Sequence, residues 1–269
     1  MPVKLERIEF DTLKLERLGE HVLLVTLDRP EASNAMNTQM GLDLVALLED
    51  FAIDQYDIRC LVLTGQGEKA FCAGGDLKER KGMTDEAWQR QHAIYERMIR
   101  ALMGCPIPSI AAVNGAAYGG GCEIAAACDF AYAAEHARFA LTEVTLGIMP
   151  GAGGTQNLPR AMGERRAKEV ILTGLPFTAQ QALDWGLLNR VLPIGDLVPE
   201  ALKTAERIAG NAPISVRQAK QAMHRGMQMS VWDGLAYEIE AYNRMVPTED
   251  RREGVLAFNE KRRPNFKGR

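Results

Sequence analysis

The sequence predicts an α/β fold in which a core of strands and helices is followed by a helical C-terminal region. Short apolar or alternating segments, separated by turn residues, recur in the first half of the chain, whereas apolar residues at helical spacing follow from Pro213 onward. The 269 residues can bury a large core, and no Pro/Ser-rich linker, low-complexity block or internal repeat divides them. We therefore place the core at residues 1–200 and the helical region at residues 201–269.

Five segments of the core have the apolar or alternating pattern of strands, and a helix is predicted between the second and the third. Asn37 precedes that helix as a candidate N-cap, and the apolar residues after it share one face: Leu44, Leu47, Leu48 and Phe51. The predicted strands are residues 13–17, 22–27, 60–64, 110–113 and 130–133.

The C-terminal region contains two apolar stripes at helical spacing. Such stripes belong to a hydrophobic core or to an interface between subunits, and we assign them no chemistry. The first stripe is Val216, Ala219, Met223 and Met227, and the second is Leu235, Ile239, Tyr242 and Val246.

Composition narrows the class of protein. A formal net charge of −3 argues against nucleic acid as the main partner, because phosphate binding needs a basic field. The five cysteines are odd in number and form no CxxC pair, which predicts a reducing compartment without disulfides or structural zinc. Residues 1–10 lack the apolar segment of a secretory signal, and the least polar stretch, residues 106–122, contains Asn114 and several glycines. We expect a soluble, cytoplasmic protein with no membrane partner.

Three glycine clusters stand out, at residues 74–75, 119–121 and 151–154. A nucleotide site is the first interpretation to test, since residues 65–70 (GQGEKA) fit a relaxed dinucleotide fingerprint after a strand. That motif must open a helix, and the following FCAGG cannot propagate one well. The chain has no GxxxxGK[ST], GxSxG or HExxH motif, and its four scattered histidines lack metal-ligand spacing, so we predict no metal site.

The glycine clusters fit better as places where backbone N–H groups face a ligand. Residues 119–121 follow a predicted strand and precede a helix predicted to begin near Cys122, so their amides lie at a helix N-terminus. Two such N–H groups from two loops are the usual arrangement for binding a thioester oxyanion. Tight turns without a function are the alternative reading of the same pattern.

Three longer segments carry a family resemblance: residues 71–79 (FCAGGDLKE), 112–124 (AVNGAAYGGGCEI) and 139–156 (FALTEVTLGIMPGAGGTQ). In order and spacing they resemble the signature segments of the crotonase (enoyl-CoA hydratase/isomerase) superfamily. The resemblance extends from residues 27–30 (LDRP) to residues 258–262 (FNEKR). It implies a crotonase-like core of repeated ββα units wound as a spiral, a helical C-terminal trimerisation region, and a homo-oligomer that is a trimer or a dimer of trimers.

The resemblance also implies the roles of four residues. The N–H groups of Gly75 and Gly120 match the oxyanion hole, and Glu123 and Glu143 match two catalytic glutamates. Superfamily members that isomerise, dehalogenate or decarboxylate commonly lack one of the two carboxylates, so the pair favours hydration of a 2-enoyl-CoA to a 3-hydroxyacyl-CoA. Two carboxylates can hold one water, one taking its proton and the other returning a proton to carbon. We assign water activation to Glu123, which its apolar surroundings predict to be buried, and proton delivery at Cα to Glu143.

The substrate implied by the resemblance is an acyl-CoA thioester, so no separate cofactor is expected. The thioester end is expected along residues 73–75, and the adenine and phosphate end at C-terminal residues that often come from a neighbouring subunit. Asp76 also has the pattern of a structural or capping residue, and Glu31 stands where several relatives carry a basic residue. The predicted contacts are Arg29, Ala35, Ala73, Gly74, Asp76, Leu77, Gly119, Phe258 and Lys261.

Several other functions stay open on the same scaffold. They are enoyl-CoA isomerisation, carnitinyl-type dehydration, a lyase reaction, and the hydration of methylglutaconyl-CoA, a branched acidic substrate, since residues 76–80, 247–251 and 256–261 resemble those hydratases somewhat. An RNA-binding relative is the alternative of another class, but basic residues between 78 and 100 alternate with acidic ones, which is typical of a solvated helix. The acyl pocket is expected within residues 77–102, where Met83, Trp88 and Met98 could line it or serve ordinary packing.

Overall fold

The computed structural model describes residues 9–269 and contains two sheets flanked by helices. The expectation that no secretory signal begins the chain concerns mainly residues 1–8, which lie outside the described range. The six-stranded sheet has the order β1-β2-β3-β5-β7-β10, and the four-stranded sheet has the order β4-β6-β8-β9. The strands are β1 Leu13–Leu18, β2 Val22–Leu27, β3 Cys60–Gly65, β4 Ala70–Cys72, β5 Ser109–Val113, β6 Ala116–Tyr118, β7 Phe130–Ala134, β8 Arg138–Ala140, β9 Phe177–Thr178 and β10 Arg190–Leu192.

Helices alternate with the strands as far as β10, and only helices follow after it. Two 3-10 helices, Pro30–Ala32 and Glu143–Leu146, add single turns. The α-helices are α1 Thr38–Ile53, α2 Leu77–Arg80, α3 Asp85–Gly104, α4 Gly120–Ala127, α5 Gly154–Met162, α6 Glu164–Thr173, α7 Ala179–Asp184, α8 Ile194–Ala209, α9 Pro213–Gly226, α10 Val231–Asn243 and α11 Glu249–Asn259.

The strand order confirms the predicted spiral of ββα units. The pairs β3/β4, β5/β6 and β7/β8 each send the first strand to the large sheet and the second to the small sheet, and a helical segment follows each pair. Within both sheets the neighbouring strands of successive units are parallel. Because parallel strands end at one edge, the loops after β4, β6 and β8 are brought together.

All five predicted strands are present, and all lie in the large sheet with ends shifted by at most one residue. Strands β3 and β5 are buried on both faces, as is typical of a parallel sheet covered on two sides. Alternate residues of β3 belong to different cores: Leu61 and Leu63 pack between the two sheets, whereas Cys60 and Val62 pack under α8. The small-sheet strands and β10 are only two or three residues long, too short to show a period.

Two helix starts test the local predictions. Asn37 caps α1, since its side chain accepts a hydrogen bond from the Met40 N–H at 2.9 Å, which confirms the predicted N-cap. Helix α4 begins at Gly120, two residues before the predicted start near Cys122. Residues 65–70 run from the last residue of β3 to the first residue of β4, and no helix opens there, which confirms that the dinucleotide fingerprint is a chance match.

The C-terminal helices form two groups with different environments. Helix α8 covers the large sheet and buries four residues against it, whereas α9 and α10 pack on each other and have few buried residues. Met223, Met227, Leu235 and Ile239 are exposed, so the core interpretation of their stripes is wrong within one chain. Across residues 9–269, no helix combines the length and the apolar character needed to cross a membrane.

Candidate active site

One cavity of about 540 Å³ lies where the loops after β4, β6 and β8 meet. All four predicted catalytic residues line it: Gly75 after β4, Gly120 after β6, Glu123 on α4, and Glu143 after β8. These residues are far apart in the sequence, and the parallel register of the small sheet is what brings them together.

The segments that carry Gly75 and Gly120 are in contact. A Cβ built on Gly120 would lie 4.0 Å from Gly75 N, so the two amides border the same space. The residues on either side of Gly75 form an isolated β-bridge with Met36. Met36 N–H donates to Gly74 O at 2.7 Å, and Asp76 N–H donates to Met36 O at 2.9 Å. Neither Gly75 N–H nor Gly120 N–H donates to an acceptor within residues 9–269, so both are available to a ligand.

Two further glycines allow the close approach of backbone on which this arrangement depends. Gly119 has φ +50°, and a Cβ there would lie 3.0 Å from Glu143 Oε1. A Cβ on Gly121 would lie 2.0 Å from the Cys72 carbonyl oxygen, a separation that no side chain tolerates. The triple glycine therefore lets the start of α4 pack directly against the end of β4.

Glu123 is held by the third glycine cluster. Its side chain is only 2 % exposed, and Oε1 accepts hydrogen bonds from Ala152 N–H and Gly154 N–H, both at 2.8 Å. Two backbone donors on one oxygen fix the carboxyl group and leave the other oxygen directed away from the loop. The N–H groups of Ala152 and Gly154 thus bind a side chain of the protein, whereas all three glycine clusters were predicted to face a ligand.

The pKa of Glu123 is raised to about 7, chiefly by burial and in addition by the negative charge of Glu143, while hydrogen bonds from the N–H groups of Gly154 and Ala152 oppose the shift. Burial also raises the pKa of Glu143, opposed by a hydrogen bond to its own backbone and by the charge of Arg80. Glu143 Oε2 is buried and has no hydrogen-bond partner within the described residues. A buried, unpaired carboxyl oxygen destabilises the protein unless a ligand or water contacts it.

The pKa of Glu123 therefore lies near neutral pH, and the two carboxyl groups interact, since the charge of Glu143 contributes to that pKa. One can act as a base while the other acts as an acid toward a molecule that lies between them. Two adjacent glycine N–H groups without a protein acceptor are an arrangement that can stabilise a developing oxyanion.

The cavity lining also includes residues that were not predicted from the sequence. Arg80 at the end of α2 and three residues of α3, Gln89, His92 and Tyr95, line the cavity beside Trp88. Spacing on α3 was the available signal, because residues 88, 92 and 95 share one helix face. Of the three candidates named for the acyl pocket, Trp88 lines the cavity, Met98 is fully buried in the core, and Met83 is not part of the lining.

The predicted coenzyme A contacts fall into two groups. Ala73, Gly74, Leu77 and Gly119 line the cavity. The other predicted contacts lie outside the cavity lining: Arg29, Ala35, Asp76, Phe258 and Lys261.

Arg29, Ala35 and Asp76 lie next to one another beside the cavity. Arg29 Nη1 donates to the Ala35 carbonyl oxygen at 2.5 Å and to the Asp76 carboxylate at 3.0 Å. Asp76 also accepts hydrogen bonds from Lys78 N–H and Glu79 N–H at the start of α2, which confirms its predicted capping role. Phe258 on α11 is 82 % exposed, and Lys261 follows that helix. No cluster of His, Cys, Asp and Glu suited to a metal ion occurs in residues 9–269.

A spiral of ββα units that brings paired glycine amides, a buried glutamate and a half-buried glutamate to one cavity defines an enzyme of the crotonase fold. Comparisons with known proteins agree. The enoyl-CoA hydratase/isomerase family matches residues 17–269. The solved enoyl-CoA hydratase of Bacillus anthracis superposes with a TM-score of 0.94 at 43 % identity, over 96 % of this chain and 100 % of that one.

Characterised relatives extend the match. The short-chain-enoyl-CoA hydratase of Clostridium acetobutylicum is 40 % identical over 97 % of this chain and 100 % of its own length. The 2,3-dehydroadipyl-CoA hydratase of Escherichia coli is 42 % identical over 93 % of this chain and 96 % of its own length. The chain belongs to the enoyl-CoA hydratase/isomerase family.

Proposed function

We propose that the protein adds water across the 2,3 double bond of a 2-enoyl-CoA to give a 3-hydroxyacyl-CoA. The observation that carries the proposal is the pair of carboxyl groups with raised pKa values, the buried Glu123 and the half-buried Glu143, which line one cavity with the free N–H groups of Gly75 and Gly120. The substrate supplies its own coenzyme A, so the reaction needs no separate cofactor.

In the proposed reaction the thioester carbonyl oxygen accepts hydrogen bonds from Gly75 N–H and Gly120 N–H. Negative charge collects on that oxygen when a hydroxyl adds at Cβ, and fixed donors in a dry site stabilise it; one such donor contributes about 10²–10³-fold in rate. Glu123, oriented by two backbone N–H groups, takes the proton of the attacking water. Glu143 delivers a proton to Cα, and the same steps in reverse dehydrate the product.

Two carboxyl groups favour water chemistry over isomerisation. Moving a double bond requires one group that removes a proton from one carbon and returns it to another, whereas hydration requires a water to be deprotonated and a carbon to be protonated. The names of the Clostridium and Escherichia relatives, both hydratases, support the same choice but differ in acyl group.

The exposed apolar face of α9 and α10 supports a homo-oligomer, a trimer or a dimer of trimers. In such an assembly Phe258 and Lys261, which do not line the cavity of their own chain, can serve a neighbour's coenzyme A site. An RNA-binding role receives less support, because Arg97 and Arg100 pair with Glu49 and Glu96 and leave little free positive charge on α3.

The test is the loss of the conjugated enoyl-thioester absorbance with crotonyl-CoA in the wild type, Glu123→Gln and Glu143→Gln. Each variant should lose about 10²–10⁴-fold in kcat, the usual effect of removing one general acid–base group. Glu135→Gln, at an exposed position away from the cavity, is the matched control and should keep full activity. Mass spectrometry of the product formed in ¹⁸O-water separates the reactions, since hydration adds one labelled oxygen and isomerisation adds none.

A wild type that converts a 3-enoyl-CoA to the 2-enoyl isomer without incorporating oxygen would replace hydration by isomerisation. Full activity in either glutamine variant would contradict the assignment of that glutamate.

A further inference from the structure

Arg80 is a cation in the cavity that the proposed hydration does not use. Within the described residues, it supplies the one arginine or lysine of the cavity lining. Its guanidinium lies against Gly75: a Cβ built on that glycine would be 3.3 Å from Arg80 Cζ and 3.3 Å from Nη1. The positive charge is therefore next to the amide proposed to bind the thioester oxygen.

A hydrogen bond from Nε and stacking on aromatic rings fix the position of the Arg80 guanidinium. Nε donates to Gln91 Oε1 at 2.8 Å, and the group stacks over the Trp88 ring with Cζ 4.3 Å from the ring centre. A second ring, that of Tyr95, lies 5.5 Å away. Aromatic stacking and one fixed hydrogen bond orient the planar group, so the remaining donors point in a defined direction.

Those remaining donors have no protein partner. Across residues 9–269, no acceptor receives a hydrogen bond from Nη1 or Nη2, and no carboxylate forms an ion pair with Arg80. The neighbouring Glu79 is committed elsewhere, because its Oε2 accepts from Thr38 N–H and from Gln91 Nε2. Burial raises the pKa of both glutamates in the cavity, so each holds its proton more tightly than an exposed carboxyl group does and compensates the charge of Arg80 less.

We propose that Arg80 binds a carboxylate at the far end of a short acyl chain, so that the preferred substrate is a 2-enoyl-CoA whose acyl group carries a terminal carboxylate. The inference rests on the proposed function for the direction in which the thioester lies. An arginine that keeps two donors free on one edge suits a carboxylate, which can accept both in a bidentate pair. A chain leaving the oxyanion site along the wall formed by α2 and α3 passes this edge.

A simpler role is that Arg80 only adjusts Glu143, whose pKa its charge lowers. The two roles differ in what they do to substrate choice. An electrostatic effect on Glu143 changes the rate for every substrate alike, whereas a carboxylate contact changes only those substrates that carry the carboxylate.

The experiment compares ligands matched in shape and differing in charge. Glutaryl-CoA ends in a carboxylate, and 5-methylhexanoyl-CoA replaces its two oxygens by methyl groups. Both are saturated, so equilibrium binding by calorimetry requires no turnover. The corresponding 2-enoyl substrates, glutaconyl-CoA and 5-methylhex-2-enoyl-CoA, give the same comparison in kcat/KM.

We expect the wild type to bind glutaryl-CoA more tightly than its isostere, and Arg80→Met to reduce this preference by about 10- to 100-fold, the effect of losing a charge-assisted bidentate contact. Arg80→Lys, which keeps the charge without the planar fork, should recover part of the preference. Arg97→Met is the matched control, because Arg97 lies on α3 outside the cavity and pairs with Glu49. Circular dichroism checks that each variant is folded.

An unchanged ratio between the two ligands in Arg80→Met would overturn the inference, as would a wild type with no preference. Activity of the wild type on the two enoyl substrates tests the proposed function independently of the binding ratio. If that function is wrong, neither enoyl substrate is hydrated by the wild type, while the binding ratio still reports on Arg80.

Discussion

Glu123→Gln separates the stability of this site from its activity. In the wild type the carboxyl group is 2 % exposed and its pKa is raised from 4.5 to about 7. The folded protein therefore holds this proton more tightly than the unfolded chain does. Stability contributed by the group is fully present below pH 4.5, declines as pH rises toward 7, and stays at the lower value above that.

The magnitude follows from the two pKa values. Each tenfold difference in proton affinity corresponds to about 1.4 kcal/mol, so the ionised carboxyl group costs roughly 3 kcal/mol of unfolding free energy above pH 7. A glutamine keeps Oε1 as an acceptor for Ala152 N–H and Gly154 N–H and carries no charge. We expect the variant to be more stable than the wild type by roughly 3 kcal/mol near pH 8.5 and by less than 1 kcal/mol near pH 5.

Urea unfolding of both proteins at the two pH values, at one fixed protomer concentration, measures this difference. The rate at which the same variant hydrates crotonyl-CoA should fall by about 10²–10⁴-fold. Replacing one carboxyl oxygen by an amide nitrogen is thus expected to increase stability and to remove activity. A stability difference that does not change between the two pH values would refute the raised pKa. A variant less stable than the wild type near pH 8.5 would show that the amide does not fit the two backbone donors.

Four other changes test the packing and the assembly. Gly121→Ala should prevent folding or lower the free energy of unfolding by more than about 3 kcal/mol, because the new Cβ would lie 2.0 Å from the Cys72 carbonyl oxygen. Gly104→Ala, whose Cβ would have no atom within 4 Å, should be neutral or stabilising by up to about 1 kcal/mol. Thermal unfolding of the two variants measures this difference. Lys220→Met should lower the free energy of unfolding in urea by about 2–4 kcal/mol. Lys220 on α9 forms a partly buried ion pair with Asp129, and the substitution leaves the Asp129 carboxylate without its cation. Ile239→Asp should reduce the mass measured by light scattering to that of one chain, if the exposed face of α10 is the proposed interface; an unchanged mass would contradict it.

The sequence predicts the large sheet better than the small one, for a physical reason. Strands such as β3 are buried on both faces and therefore appear as continuous apolar runs. The small-sheet strands β4, β6 and β8 have three residues each, which is fewer than two periods of alternation. Their pairing is nevertheless what brings the loops of the active site together, so local pattern alone does not locate the site.

The site itself was predictable only in part. Long motifs identify Glu123 and Glu143 through a resemblance, and the cavity contains both. The hydrogen-bond partners of Glu123 could not be predicted from the sequence. They are the backbone N–H groups of Ala152 and Gly154, about thirty residues further along the chain, and a backbone N–H is not marked by any residue type. Arg80 is likewise invisible in the sequence, since most arginines in a mixed-charge stretch are solvated.

The three glycine clusters illustrate why one sequence feature does not imply one role. The N–H groups of Gly75 and Gly120 have no hydrogen-bond acceptor within residues 9–269, and both residues line the cavity. Those of Ala152 and Gly154 instead donate to Glu123. The donations favour the ionised carboxyl group, and burial opposes it; together they leave the pKa of Glu123 near neutrality. A group with that pKa can both take and return a proton at physiological pH, so the N–H groups of Ala152 and Gly154 influence the cavity through the protonation of Glu123.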